Sequence, residues 1–393
     1  MLPKIVLNNK KLEPVLRKHP WIFSGAIFSK DNNLADGDLV QVMDSRSNQL
    51  AIGHFYHGSI AVKILQFGSS HYSEELWYDK IAKAWNLRIG LNLLNSTNNC
   101  FRWIHGEGDG LPGLIVDFYN GLVVIQCHSI GMYRSLHLIK EAITKVAQSY
   151  IHTIVQKSKE TLPTEFAKSV ENSVLVGEQS KVTAIENGIK FIIDPIQGQK
   201  TGFFLDQRDN RQLVKQISTD RRILNTFCYT GGFSLYALQA GAKQVCSIDV
   251  SNKALELLGQ NLDLNDLNKE YHESIVGDVL PFLTQLQEAK FDLIILDPPA
   301  FAKSVDKRHS AIQAYKRLNL LAMQKIAKPG ILMSYSCSQV VTEELFYNTI
   351  VAAGIESGCE IKVLKKLMQG PDHPVSLFHP EGSYLKGLLL EIN

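Results

Sequence analysis

The stretch Ile223-Leu224-Asn225-Thr226-Phe227-Cys228-Tyr229-Thr230-Gly231-Gly232-Phe233 decides the fold of the C-terminal half. A short aliphatic run ends in a turn with two glycines, and a helical pattern follows. Glycine lets the backbone approach a ligand closely, although such a turn is also a common tight connection between strand and helix. Further strand candidates lie at 244–248, 273–276, 293–296 and 331–335, and helix candidates at 232–240, 252–264, 279–287, 307–327 and 342–353. Repeated β-α units predict a mostly parallel sheet with helices on both faces. Ligands in such sheets bind beyond the carboxyl ends of the strands.

The strand ends carry the chemistry. The second strand ends in Ser247-Ile248-Asp249, where a carboxylate can accept hydrogen bonds from both hydroxyls of a ribose. The third ends at Gly277-Asp278, placed to accept from an adenine amino group, and the fourth ends in Asp297-Pro298-Pro299. The turn is not G-x-G-x-x-G, which argues against a nicotinamide dehydrogenase. In this order the four strand ends resemble a class I S-adenosylmethionine-dependent methyltransferase. The resemblance implies S-adenosyl-L-methionine as cofactor, held by Asn225, Phe227, Thr230, Gly231, Gly232, Asp249, Val250, Gly277, Asp278, Asp297 and Pro298. Asn225 departs from the class, which commonly has an acidic residue there. Upstream, Gln199-Lys200-Thr201-Gly202-Phe203-Phe204-Leu205-Asp206-Gln207-Arg208 resembles the segment lining the cofactor site in one RNA methyltransferase group. That resemblance adds Phe203, Asp206 and Arg208; the plain alternative is a hairpin before a helix with Asp206 as its cap.

The fifth strand ends in Ser334-Tyr335-Ser336-Cys337-Ser338. A lone cysteine is usually a small buried hydrophobe, and Cys100, Cys127, Cys228, Cys246 and Cys359 read that way. Cys337 differs, because it lies on the ligand edge among small polar neighbours, where a thiol can ionise. Carbon 5 of cytosine is a poor nucleophile. Attack of a thiolate on ring carbon 6 makes carbon 5 enamine-like and able to take a methyl group. Charge then builds on ring nitrogen 3 and the carbonyl, so a proton-sharing partner is needed there. Asp297, fixed between β-strand and prolines, is the candidate. The Asp297/Cys337 pair resembles RNA cytosine-carbon-5 methyltransferases. Many of these carry a second cysteine right after Asp-Pro-Pro; here that residue is Ala300.

Outward from this core, residues 1–68 alternate short β-rich runs with turns, the pattern of a small barrel with net charge +3. Gly68-Ser69-Ser70 reads as a linker, and a mixed α+β segment follows with a predicted helix at 74–91. Lys11, Arg17, Lys18, His19-Pro20-Trp21 and Gly37-Asp38 resemble a PUA domain, a small RNA-binding barrel. Arg102-Trp103-Ile104-His105-Gly106-Glu107-Gly108-Asp109-Gly110-Leu111-Pro112-Gly113-Leu114 and Pro380-Glu381-Gly382-Ser383-Tyr384-Leu385-Lys386-Gly387 extend the match. Nearly the whole chain resembles the PUA-containing large-subunit ribosomal RNA cytosine-carbon-5 methyltransferases. The expected fold class is α/β: a Rossmann-like methyltransferase domain at 188–393, an N-terminal PUA β-barrel at 1–70 and a middle α+β domain at 71–187. The implied partner is large-subunit ribosomal RNA, and the resemblance suggests a homodimer.

Composition is consistent with this. The 393 residues are 45% hydrophobic and 20% charged, which excludes a disordered chain. A net charge of +2 excludes a strongly basic tail as the main grip on a polyanion, yet leaves room for local basic patches. The candidate RNA contacts are Arg17, Lys18 and Trp21 in the barrel, and Phe301, Lys303, Lys307 and Arg308 after Asp297. No two of the six cysteines form a C-x-x-C pair, so no metal site is expected. No apolar run suggests a signal peptide or membrane span, and a cytoplasmic setting is expected. Two rival readings stand: methylation of a base nitrogen, with Cys337 incidental, and a non-catalytic RNA-binding factor on ribosome precursors.

Overall fold

A computed structural model describes residues 2–178, 181–302 and 304–393. The chain divides into two compact units. One comprises Met1–Ile185, Ile193–Leu205 and Pro371–Gly382; the other comprises Glu186–Ile192, Asp206–Gly370 and Ser383–Asn393.

The first unit begins with a six-stranded sheet in the order Trp21–Phe23, Ile60–Phe67, Gln49–Phe55, Leu39–Met43, Lys4–Leu7, Ile27–Lys30. Alternate residues point inward, so Ile5, Leu7, Val40, Val42, Val62 and Ile64 make its core. A five-stranded sheet follows, in the order Ser173–Val176, Thr153–Gln156, Leu122–Cys127, Leu114–Tyr119, Cys100–His105. Helices Glu75–Gly90 and Leu136–Ala147 supply the apolar residues Trp77, Ile81, Trp85, Ile139 and Ile143 to the same core. Trp85 centres an aromatic cluster, 4.5 Å from Trp103 and 5.7 Å from Phe101 between ring centroids. Each such pair is worth about 0.5–1.5 kcal/mol beyond the area it buries. Arg102, in the stretch resembling the opening of the middle domain, lies on strand Cys100–His105 and pairs with Asp117 at 2.7 Å.

The second unit is built on a seven-stranded sheet. Its strands are β1 (Arg222–Thr226), β2 (Gln244–Asp249), β3 (His272–Val276), β4 (Leu293–Leu296), β5 (Gly330–Ser336), β6 (Ile361–Met368) and β7 (Lys386–Ile392). The order across the sheet is β3-β2-β1-β4-β5-β7-β6. β1 to β5 run parallel, and β7 inserts antiparallel between β5 and β6. The central strands are buried on both faces, which is why they read as unbroken apolar runs rather than alternating ones. Helices α1 (Arg208–Ile217), α2 (Gly232–Gln239), α3 (Asn252–Leu264), α4 (Val279–Gln285), α5 (Arg308–Lys325) and α6 (Glu343–Ser357) accompany the sheet. The sequence reading found β1 to β5 and α2 to α6 within a few residues, met α1 only as the helix of the alternative reading capped by Asp206, and left β6 and β7 unread. β6 carries Lys362, Lys365 and Lys366 on an exposed edge, where no alternation marks a core face. β7 is a short apolar run that periodicity alone cannot separate from a helix.

Register sets the site. Thr226 lies opposite both Ile248 and Leu296, and Asp249 opposite Val276. The loops after β1, β2, β3 and β4 therefore leave the sheet at one edge. The order reverses on either side of β1, the place where such sheets bind ligands.

Candidate active site

The turn after β1 is held in an unusual backbone. Phe227 (φ +54°), Tyr229 (φ +48°) and Gly231 (φ +80°) all lie in the left-handed region. For the two non-glycine residues this costs about 1–3 kcal/mol each. Strain of that kind persists only where surrounding contacts fix it. The Tyr229 N–H donates to Asp249 Oδ2 at 2.9 Å, and the Ser251 N–H to Oδ1 at 2.9 Å. The Cys228 N–H donates to the Ile248 carbonyl at 3.2 Å, and the Gly277 N–H to the Asp249 carbonyl at 3.0 Å. The Asp249 carboxylate is thus oriented by two backbone donors. Gly231 is required twice over, because an added Cβ would lie 2.5 Å from Leu258 Cγ. At Gly232 it would lie 3.0 Å from Cδ of Arg211, whose guanidinium pairs with buried Glu186 at 2.7 Å.

The remaining strand-end residues are diverse. Asn225 is fully buried; its Nδ2 donates to Ser234 Oγ at 2.8 Å, and the chain continues through Ser247 Oγ to His272 Nε2. Its Oδ1 is buried with no hydrogen-bond partner among the described residues. Phe227 packs against the sheet core, and Thr230 is buried, its carbonyl accepting from Asn261. Val250 is 72% exposed. Asp278 is exposed and caps α4 by accepting from the Leu280 N–H at 3.0 Å. Upstream, Asp206 is buried and accepts from the Tyr384 hydroxyl at 2.6 Å, while Arg208 is buried with Nε 3.5 Å from Asp209 Oδ1. Phe203 is a buried side chain of the first unit.

Asp297 is the first residue after β4 and Cys337 the first after β5; both are half-buried. Their loops are fastened to each other. Cys337 Sγ lies 3.9 Å from the Pro298 carbonyl oxygen, and the Ser338 hydroxyl donates to the Ala302 carbonyl at 2.6 Å. Phe301, between these anchors, packs on Tyr315 with ring centroids 4.7 Å apart.

One residue beside the candidate cysteine escaped the sequence reading. β7 sets Lys386 opposite Ser336, one residue before Cys337. Lys386 is 8% exposed and donates to the carbonyls of Ser338 (2.7 Å) and Val341 (2.6 Å). Burial pushes this ammonium below its ordinary value, and the charge of Cys337 acts in the opposite sense. The same coupling acts on Cys337 in favour of the thiolate. Lys386 sits in the C-terminal motif, but nothing along the chain ties it to a cysteine 49 positions earlier.

The proposed RNA contacts fall in both units. In the first, Arg17 is exposed beside Glu13 at 3.1 Å, Lys18 sits with its ammonium 5.1 Å from the Phe67 ring, and half-buried Trp21 donates to Glu107 at 2.9 Å. In the second, Lys307 and Arg308 are exposed at the start of α5. Lys303 lies outside the described residues. No helix among the described residues is long and apolar enough to cross a membrane.

Comparison with known proteins bears on this arrangement. Residues 101–374 match the family described as S-adenosylmethionine-dependent methyltransferase, and residues 5–67 match a PUA-like domain. Ribosomal RNA large subunit methyltransferase I of Pseudoalteromonas atlantica is 38% identical, with 100% of each chain covered. The proteins of the same name from Tolumonas auensis and Escherichia coli are 37% and 32% identical, covering 99% and 100% of each chain. Among solved structures, a candidate S-adenosylmethionine-dependent methyltransferase from Streptococcus mutans superposes with a TM-score of 0.84 at 20% identity, over 100% of both chains. A candidate methyltransferase complexed with SAH gives 0.83, also at 20% identity and full coverage of both chains. At that identity the likeness shows the shared fold.

Proposed function

The chain belongs to the S-adenosylmethionine-dependent methyltransferase family that includes the ribosomal RNA large subunit methyltransferases I, and we propose that it forms 5-methylcytosine in large-subunit ribosomal RNA through a covalent bond to Cys337. The observation that carries the mechanism is the fastening of the Cys337 loop to the Asp297-Pro298 loop at the carboxyl edge of the sheet.

The residues present fit S-adenosylmethionine. Asp249 offers a carboxylate already oriented by two backbone donors, Asn225 keeps a buried amide oxygen without a partner among the described residues, and the turn through Gly231 keeps its backbone close to the strand ends. Asp206, Arg208, Phe227, Thr230, Gly232, Val250, Gly277, Asp278 and Pro298 complete the proposed set in the second unit. When bound, the cofactor supplies an electrophilic methyl group.

The protein's own part runs as follows. The Cys337 thiolate, favoured by Lys386, bonds to carbon 6 of the flipped-out base. The ring electrons displaced by that bond make carbon 5 nucleophilic. Asp297 shares a proton with ring nitrogen 3 as negative charge builds there. After methylation, loss of the carbon 5 proton re-forms the ring double bond and expels the thiolate. With Ala300 after Asp-Pro-Pro, no second cysteine takes that proton, and water or Asp297 is left to do so.

The same reading assigns residues 1–70 to a PUA-like barrel, 71–187 to a middle domain and 188–393 to the methyltransferase domain. Arg17, Lys18, Trp21, Phe301, Lys303, Lys307 and Arg308 serve as RNA contacts. The family resemblance supports a homodimer working in the cytoplasm.

The test is incubation with cofactor and ribosomal RNA containing 5-fluorocytosine, which cannot lose a carbon 5 proton. A covalent adduct is expected, absent in Cys337→Ala. No adduct, or one that survives the substitution, overturns the mechanism and favours methylation at a base nitrogen.

A further inference from the structure

We propose that His19, His379 and Glu381 form a binding site for a divalent metal ion, Zn²⁺ by preference, which ties the Pro371–Gly382 segment to the N-terminal sheet within the first unit. One ligand atom from each residue lies within 4.8 Å of the other two. His379 Nε2 and Glu381 Oε2 are 3.8 Å apart. Four-coordinate zinc with bonds of about 2.0–2.1 Å needs ligand atoms about 3.3–3.5 Å apart. Glu381 is more than half exposed, so a side-chain rotation can shorten its distance to His379.

The independent sign of a ligand is His379 itself. It is 3% exposed, yet neither ring nitrogen makes a hydrogen bond among the described residues. Buried imidazoles in proteins ordinarily find a partner, because an unpaired buried nitrogen loses its water without compensation. The ring is held from the other side by Trp21, whose centroid is 4.4 Å away at 65° and whose indole N–H is fixed on Glu107. His379 therefore cannot turn freely to find another acceptor.

His19 brings the orienting contact that metal-binding histidines usually have. Its Nδ1 lies 3.2 Å from the Trp21 carbonyl oxygen. The Trp21 N–H also points at this Nδ1, at 3.2 Å, so the two contacts call for opposite tautomers; a metal on Nε2 selects the one with hydrogen on Nδ1, whose N–H donates to the Trp21 carbonyl. Two imidazoles and one carboxylate suit Zn²⁺ among the common divalent ions, and leave a fourth position for water. The three ligands come from the turn before strand Trp21–Phe23 and from a segment more than 350 residues later. The site is thus a tie between distant parts of one unit.

Tag-free, full-length protein stripped by a chelator is titrated with Zn²⁺ against a competing chromophoric chelator. One sub-micromolar site per chain is expected. His379 is buried and its removal threatens folding, so the test uses Glu381→Gln and His19→Gln, each expected to weaken the site at least tenfold while circular dichroism stays unchanged. Zn²⁺ should raise the Tm of the unaltered protein and not of Glu381→Gln. In the Co²⁺ form, four-coordinate d–d bands are expected without a thiolate charge-transfer band. No binding at micromolar Zn²⁺, binding unaffected by both substitutions, or a thiolate band that places the ion on the cysteines overturns the proposal.

Discussion

The loops after β1 and β5 each carry a cysteine at the same edge of the same sheet, and they treat it in opposite ways. Cys228 is buried in a left-handed turn, beside the Asp249 carboxylate. Burial first, and Asp249 second, push its thiol well above the ordinary range. Cys337 is half-buried and has the ammonium of Lys386 close by. An apolar wall and an anion keep a thiol protonated; a neighbouring cation acts in the opposite sense. Position at a strand end therefore does not make a nucleophile. The neighbouring charge and the access of water do.

The contrast can be broken by substitution. The largest effect is expected for Cys337→Ala: turnover should fall by roughly 10³-fold or more, with cofactor affinity kept, in single-turnover assays with ribosomal RNA. Turnover retained within tenfold would place the chemistry elsewhere. Next comes Gly231→Ala, which forces a methyl group at φ +80° against Leu258. It should cost about 2–4 kcal/mol in denaturant unfolding, and a change under half of that would mean the turn relaxes easily.

Lys386→Met keeps the length of the side chain and removes the charge. Loss of the cation disfavours the thiolate, so the pH profile of Cys337 alkylation should move to higher pH and the rate at pH 7 should drop about tenfold, or roughly 1.4 kcal/mol. An unshifted profile would show that Lys386 only fastens the loop through Ser338 and Val341. The smallest effect is expected for Cys228→Ala. Because burial holds that thiol protonated, iodoacetamide should not label it between pH 7 and 9 in folded protein, and turnover should change by less than about threefold. Fast labelling of Cys228 would erase the difference between the two loops.

Much of the second unit was legible along the chain. β1 to β5 are short apolar runs separated by helices with helical spacing, and each carries its chemical residue at or just past its own end. Local order suffices there, because every β-α unit places its loop at the same edge. What was not legible arises from strands that return from far away. β7 enters antiparallel and puts Lys386 beside Cys337, and β6 is an edge strand with no apolar alternation. Phe301 shows the other limit: its type suits base stacking, and only the fold shows that its ring also packs on Tyr315.

By itself the sequence determined the α/β class, the strand-end carboxylates, the cysteine at the end of β5 and the PUA-like barrel, because these are written in residues close together along the chain. The tertiary structure alone decided which cysteine has a cation beside it. It also gathered His19 with His379 and Glu381, a pair that stands more than 350 residues further along the chain. The physical reason is the same in both cases. Ionisation and metal binding depend on distances of a few ångströms and on burial, and only folding sets those between residues tens or hundreds of positions apart.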